Sequence, residues 1–116
     1  MELTYHWEGD VLILDLELED GSNYQIGKYG RMRQRYLFEN HHAMYTHLVL
    51  TEKLWKHLEE VDMDCNDMMD MLTVRMAERE GVTEHLKSVD QLGWGRKMNN
   101  IRSRAEEVVL HDLIYR

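Results

Sequence analysis

Apolar and polar positions alternate near the start of this chain of 116 residues. Over residues 11–19, leucine occupies positions 12, 14, 16 and 18 while acidic residues occupy positions 15, 17 and 19, and this period of two is typical of a half-buried strand. A second apolar run, residues 3–7, precedes it across a short turn that contains Gly9. These runs predict a β-hairpin over residues 1–20. Because an isolated hairpin is marginally stable, we expect its leucine face to pack on the rest of the protein.

From Lys28 onward the apolar period becomes that of a helix. Tyr29, Met32 and Tyr36 follow one another at intervals of three and four, which predicts short helices over residues 28–50. Thr51 suits the N-cap of a longer helix, with Glu52 in its first turn. The apolar stripe of that helix comprises Leu54, Leu58, Val61, Cys65, Met68, Leu72 and Met76.

A second long helix is predicted after Gly81, which suits a helix end, and Thr83, which suits an N-cap. Gly93 and Gly95 should produce a bend or close packing in it. The link between the long helices is short, so we expect them to pair antiparallel. The stripe of this second helix comprises Leu86, Asp90, Trp94, Met98, Ile101, Ala105 and Val108.

These elements predict an α+β fold that is mostly α, with an N-terminal β-hairpin packed on a helical domain that contains a long antiparallel helix pair. We expect one domain, residues 1–116, made of the hairpin (1–20), short helices (28–50) and a long helical hairpin (52–116).

Charge is unevenly distributed within a net charge of -8. Residues 1–20 hold seven acids and residues 59–70 hold six, and neither stretch contains a base. A strongly acidic protein repels phosphate, so a protein partner with a basic surface is the simpler expectation. The acids at 15–20 are one candidate surface. The second is made of Glu59, Glu60, Asp62, Asp64, Asp67 and Asp70.

A compact basic cluster interrupts this acidic chain: Lys28, Arg31, Arg33 and Arg35. Two interpretations stay open. The cluster neutralises acids of the protein itself and orients the first helix, or it contacts nucleic-acid phosphates weakly and with strong salt dependence.

The sequence contains no recognisable catalytic or metal motif, so we expect neither an enzyme nor a cofactor. A calcium loop beginning at Asp62 fails because Asp67 stands where the turn requires Gly. His41, His42, His47 and His57 lack metal-ligand spacing, and we interpret them as surface residues. The single cysteine, Cys65, lies in phase with the core stripe and indicates a reducing, cytoplasmic setting. No apolar run is long enough to span a membrane.

A set of short segments spread along nearly the whole chain carries a resemblance to a known family. The segments are 27–33, 35–37, 45–46, 48–50, 53–54, 57–58, 81–84, 86–87, 90–91, Trp94, 98–102, 105–107 and 113–115. They resemble those of the TnpV family, small proteins encoded on transposons of Gram-positive bacteria. The similarity is least in the second half of the hairpin and in the acidic stretch 62–71, and residues 95–97 also depart from the family pattern.

The resemblance implies residence on a mobile element and no established activity. Combined with the charge pattern, it favours a non-enzymatic accessory protein that binds and blocks a nucleic-acid-binding protein, such as an anti-CRISPR-type inhibitor of an RNA-guided nuclease, whose nucleic-acid channel is basic. The alternative is a DNA-binding accessory factor for transposon excision or recombination, acting through the basic cluster. A structural homodimer is a third hypothesis.

Overall fold

The computed structural model describes residues 4–8, 11–15 and 24–116, with side chains from residue 24 onward. Strands β1 (Thr4–Glu8) and β2 (Val11–Asp15) pair antiparallel, with Glu8 opposite Val11. The predicted turn at residues 9–10 and the acids at 16–20 lie outside the described residues. The helices are α1 (Lys28–Asn40), α2 (His42–Leu50), α3 (Leu54–Arg79), α4 (Glu84–Val89) and α5 (Gln91–Val109), which continues into a π-helical turn (Leu110–Ile114).

The predicted fold class is wrong. Of residues 24–116, 84% are helical, and that stretch contains no strand or sheet, so a helical domain that carries a packed β-hairpin is not supported. The alternating leucines indicated only that one face of a strand prefers to be shielded from water. That preference does not identify the shielding surface, and this is why the inference failed.

The chain divides into two compact units, residues 1–60 and residues 61–116, and α3 contributes to both. In the first unit α1 packs against α2. Its buried core comprises Leu37, Tyr45, Leu54 and Leu58, with Ile26, Phe38, Leu48, Val49 and Trp55 packed around them. Helices α1 and α2 lie within residues 28–50, where short helices are predicted, while the predicted single domain stays a prediction.

In the second unit α5 packs against α4 and against the π-helical turn that follows it. Arg104 on α5 also makes a bidentate contact with the Glu80 carboxylate, at 2.7 and 2.8 Å. The buried apolar side chains of this unit are Val61, Cys65, Val82, Ile101, Ala105, Val109 and Ile114. Burial of Cys65, Ile101 and Ala105 confirms those members of the two predicted stripes.

The end of α3 follows the prediction closely. Gly81 has a φ of +70°, a left-handed conformation that glycine adopts without strain. Its N–H donates to the Glu78 carbonyl, and the Val82 N–H donates to the Ala77 carbonyl at 2.8 Å. This pair of bonds is a Schellman motif, which satisfies carbonyls at a helix C-terminus. The Thr83 hydroxyl then accepts from the Leu86 N–H and caps α4, as predicted.

Two predicted helix boundaries are wrong. Thr51 ends α2, donating its N–H to the His47 carbonyl, and α3 starts only at Leu54. The second long helix is also interrupted, because Asp90 is not a member of its apolar stripe. Its carboxylate accepts from the Gly93 N–H at 3.0 Å, which makes it the N-cap that separates α4 from α5. Among the described residues, no helix is long and apolar enough to cross a membrane.

Candidate protein-binding face

The basic cluster of α1 is largely engaged within its own unit. Arg33 is buried, and its Nε donates to His57 Nε2 at 3.4 Å. The Arg35 guanidinium pairs with the Glu39 carboxylate at 3.0 Å, one helical turn away. Lys28 Nζ lies 5.4 Å from the Tyr29 ring centroid, and Arg31 is exposed. These contacts favour the structural interpretation of the cluster, since three of its four cations already have a role inside the unit.

Two of the six predicted partner-binding acids also serve their own units. Glu59 accepts the backbone N–H of Gln25 at 3.0 Å. Asp62 is only 9% exposed, and the Asn66 amide donates to its backbone carbonyl at 2.9 Å and to its carboxylate at 3.4 Å. Both carboxylates are therefore poorly placed to contact another molecule. Glu60 is exposed and belongs to the first unit.

The other three acids, Asp64, Asp67 and Asp70, are exposed on α3 in the second unit. Steps of three residues move each carboxylate about 4.5 Å along the helix and rotate it by roughly 60°. Within residues 24–116, no Lys, Arg or His lies within ion-pair distance of any of them. No base of residues 24–116 therefore competes with an external partner for these carboxylates.

Exposed apolar side chains lie between these carboxylates. Met63 is 58% exposed, Met71 is 41% exposed and Val74 is 56% exposed. At about 100° per residue, they share with the three acids a sector of roughly 120° on α3. We call this sector the acid–methionine face; it consists of Met63, Asp64, Asp67, Asp70, Met71 and Val74.

This face combines negative charge with exposed apolar area. Carboxylates attract Lys and Arg head groups, while methionines and valine can cover their aliphatic stems or an adjacent ring. In the part of the chain with described side chains, no group of three His, Cys, Asp or Glu side chains could hold a metal ion. The face therefore offers negative charge together with flexible, exposed apolar side chains.

The sequence indicated part of this face and missed the rest. Met63, Met71 and Val74 lie off the core stripe of α3, which favours exposure but does not decide it, because Met69 also lies off the stripe and is half-buried. Outside this face, Val89 and Leu92, exposed by 72% and 76%, lie on either side of the helix break at Asp90, which the apolar period does not predict.

Comparison with known proteins gives one match. A family model described as transposon-encoded protein TnpV matches residues 4–114. No curated protein and no solved structure shows significant similarity to the chain.

Proposed function

This chain belongs to the family of transposon-encoded protein TnpV, and from that premise we propose that it is a non-enzymatic accessory protein of a mobile genetic element that binds and blocks a nucleic-acid-binding protein. The acid–methionine face of α3 is the proposed binding site. The concrete version of the proposal is an anti-CRISPR-type inhibitor of an RNA-guided nuclease.

The observation that carries this proposal is the state of Asp64, Asp67 and Asp70. All three are exposed on one helix, and no base of residues 24–116 neutralises them. Surfaces that bind nucleic acid are rich in Lys and Arg, whose cationic head groups contact the phosphates. RNA-guided nucleases hold their heteroduplex in such a channel. A helix carrying unpaired carboxylates competes with phosphate for the same cations.

The apolar members of the face support a protein partner over a free cation. Met63, Met71 and Val74 expose apolar area, which mobile counterions do not shield from water. A protein surface that covers this area stabilises the complex through the hydrophobic effect. Single-strand channels combine cations with aromatic platforms, and a methionine sulfur makes favourable contacts with aromatic rings. The mixture of acids and methionines therefore fits a nucleic-acid channel on two counts.

The alternative, a DNA-binding accessory factor for excision or recombination, draws less support from the contacts of α1. It requires Lys28, Arg31, Arg33 and Arg35 to contact phosphates together, yet Arg33 is buried and Arg35 is paired with Glu39. A gel-shift assay with transposon ends at about 50 mM salt tests it, since weak phosphate contacts should be visible there. A specific shift that is lost in the Arg31→Ala variant would favour the alternative.

The main test uses the full chain as bait in a bacterial lysate, followed by mass spectrometry and competition with single-stranded and duplex nucleic acid. We expect the captured protein to bind nucleic acid and to be released by it. Reversal of Asp64, Asp67 and Asp70 to Lys should abolish capture.

A matched control carries the same three charge reversals at exposed acids on other elements, namely Glu84, Glu107 and Asp112. It should retain capture, because total charge changes equally in both variants. Equal loss in both would show that only net charge matters. Undiminished capture by the α3 variant would refute the proposed site.

A further inference from the structure

One stripe of α3 is symmetric under reversal of its direction. Asp64, Met68, Met71 and Arg75 are separated by four, three and four residues. At about 100° per residue these side chains lie within a sector of roughly 60°. Read from either end, the stripe has a charge, two methionines and a charge of opposite sign.

The members of this stripe are available for contact. Asp64 and Arg75 are exposed, Met71 is 41% exposed and Met68 is half-buried. The charges lie about 16 Å apart along the helix, so they cannot pair with each other in one copy. Neither has a hydrogen-bond or ion-pair partner within residues 24–116. Two opposite charges thus flank an apolar centre on a single accessible helix face.

We propose that a second copy of this chain docks on this stripe, with the two α3 helices antiparallel about a two-fold axis. Asp64 of each copy then faces Arg75 of the other, and Met68 faces Met71. A parallel arrangement would place like charges opposite each other, which is unfavourable. The two-fold arrangement uses the same patch on both copies, as symmetric dimers generally do.

Self-association of this kind regulates the site described above, and in this respect the inference rests on the proposed function. Asp64 and Met71 belong both to the stripe and to the acid–methionine face. A second copy therefore covers part of the face until a basic partner displaces it. Four side chains per copy make a contact well below the roughly 1,600 Å² of a standard interface. The dimer is accordingly weak and displaceable, with a dissociation constant of about 10 µM or weaker.

Analytical ultracentrifugation of the full chain, with no partner present, tests the dimer directly. Over about 10–500 µM protein at one fixed salt concentration, we expect a reversible monomer–dimer equilibrium. Asp64→Arg and Arg75→Asp should each weaken the dimer by about tenfold or more, because each places two pairs of like charges in contact. The double variant, Asp64→Arg with Arg75→Asp, should recover wild-type affinity within about threefold.

A control pair on α5 separates local pairing from net charge. Glu107→Arg and Arg102→Asp change the charge by the same amounts at exposed positions, and neither should alter dimerisation. Far-ultraviolet circular dichroism verifies that each variant retains its helices. A monomeric wild type across the whole range would overturn the inference, as would a dimer that Asp64→Arg leaves intact or that the double variant fails to restore.

This outcome is separable from that of the proposed function. Arg75→Asp produces a monomer with an uncovered face, so it should capture the basic partner more efficiently than wild type. If Arg75→Asp is monomeric but neither it nor wild type captures a protein, the dimer stands and the inhibitor proposal falls. If wild type captures a basic protein but is monomeric at every concentration, the inhibitor proposal stands and the dimer proposal falls.

Discussion

The substitutions Gly93→Ala and Gly95→Ala, both near the start of α5, should change the free energy of unfolding by different amounts. Replacing Gly by Ala inside a helix stabilises it by about 1 kcal/mol. At Gly95 an added Cβ meets nothing within 4 Å, so we expect that full gain. At Gly93 an added Cβ would lie 2.8 Å from the Asp90 Cγ and closer still to one carboxylate oxygen.

Such contacts force the Asp90 side chain away from the Gly93 N–H, to which it is bonded at 3.0 Å. Loss of an N-cap costs about 1 kcal/mol, and up to about 2 kcal/mol. This cost cancels or exceeds the gain in helix propensity. We therefore expect Gly95→Ala to raise the free energy of unfolding by about 1 kcal/mol, and Gly93→Ala to leave it unchanged or lower it by about 1 kcal/mol.

Urea unfolding followed by far-ultraviolet circular dichroism measures both differences. Asp90→Ala provides the control, because it removes the carboxylate that the new methyl group would meet. In that background Gly93→Ala should stabilise by about 1 kcal/mol, as Gly95→Ala does in the wild type. If Gly93→Ala were as stabilising as Gly95→Ala in the wild-type background, Asp90 would not act as the cap and the explanation of the helix break would be wrong.

Three further predictions concern the core, the titration of a buried phenol and a surface ion pair. Ile101→Ala should cost about 2–5 kcal/mol in urea unfolding because Ile101 is fully buried, whereas Val108→Ala, at a partly exposed position, should cost under about 1 kcal/mol. Burial raises the pKa of Tyr45, against a smaller opposing effect of its hydrogen bond with the Gln34 side chain. The unfolded state therefore releases this proton first, so stability should fall as pH rises above about 10, and less steeply in Tyr45→Phe. The Glu80–Arg104 pair is about 40% exposed on both sides; a double-mutant cycle should give it under about 1 kcal/mol, decreasing with added salt.

In the second unit, the sequence predicted helix ends and caps best where a single residue type is suited to one backbone conformation or one hydrogen bond. Gly81 was assigned as a helix end because glycine tolerates a left-handed backbone, and Thr83 as a cap because its hydroxyl can accept from a free N–H. Both assignments are confirmed by hydrogen bonds that involve only nearby residues. Information within a few positions was sufficient there.

Asp90 shows where the same reasoning fails. It falls in phase with the apolar stripe, and that spacing predicts an uninterrupted helix even though an aspartate side chain is a favourable N-cap. The deciding feature is three residues away, because Gly93 leaves room for the carboxylate to approach its N–H. The N-cap prediction for Thr51 is wrong for a related reason. The turn after α2 places Glu52 in a left-handed conformation, with a φ of 58°, and the sequence has no glycine there that would indicate a turn.

The six acids of the predicted site do not share one exposed face. A run of acids on a helix distributes its side chains around the axis, so only some can share a face. Asp64, Asp67 and Asp70 are exposed, whereas Asp62 is buried and its carboxylate accepts a hydrogen bond from the Asn66 side chain. The angular position of each side chain around the helix axis follows from the helical period of about 3.6 residues. Which side of the helix is buried follows only from tertiary packing.

The stripe of α3 shows how much an apolar period can establish. Leu54, Leu58, Val61 and Cys65 are buried, but the stripe continues at the same spacing through Met68, Leu72 and Met76, which are only half-buried. Residues 66–79 include no buried side chain. Periodicity indicates that one side of a helix prefers to be covered; it does not specify whether the same chain provides the cover. Two of the three half-buried positions are methionine, whose flexible thioether tolerates several packing partners. We therefore expect the stripe residues up to Cys65 to stabilise the fold and those beyond it to remain available for contact with another molecule.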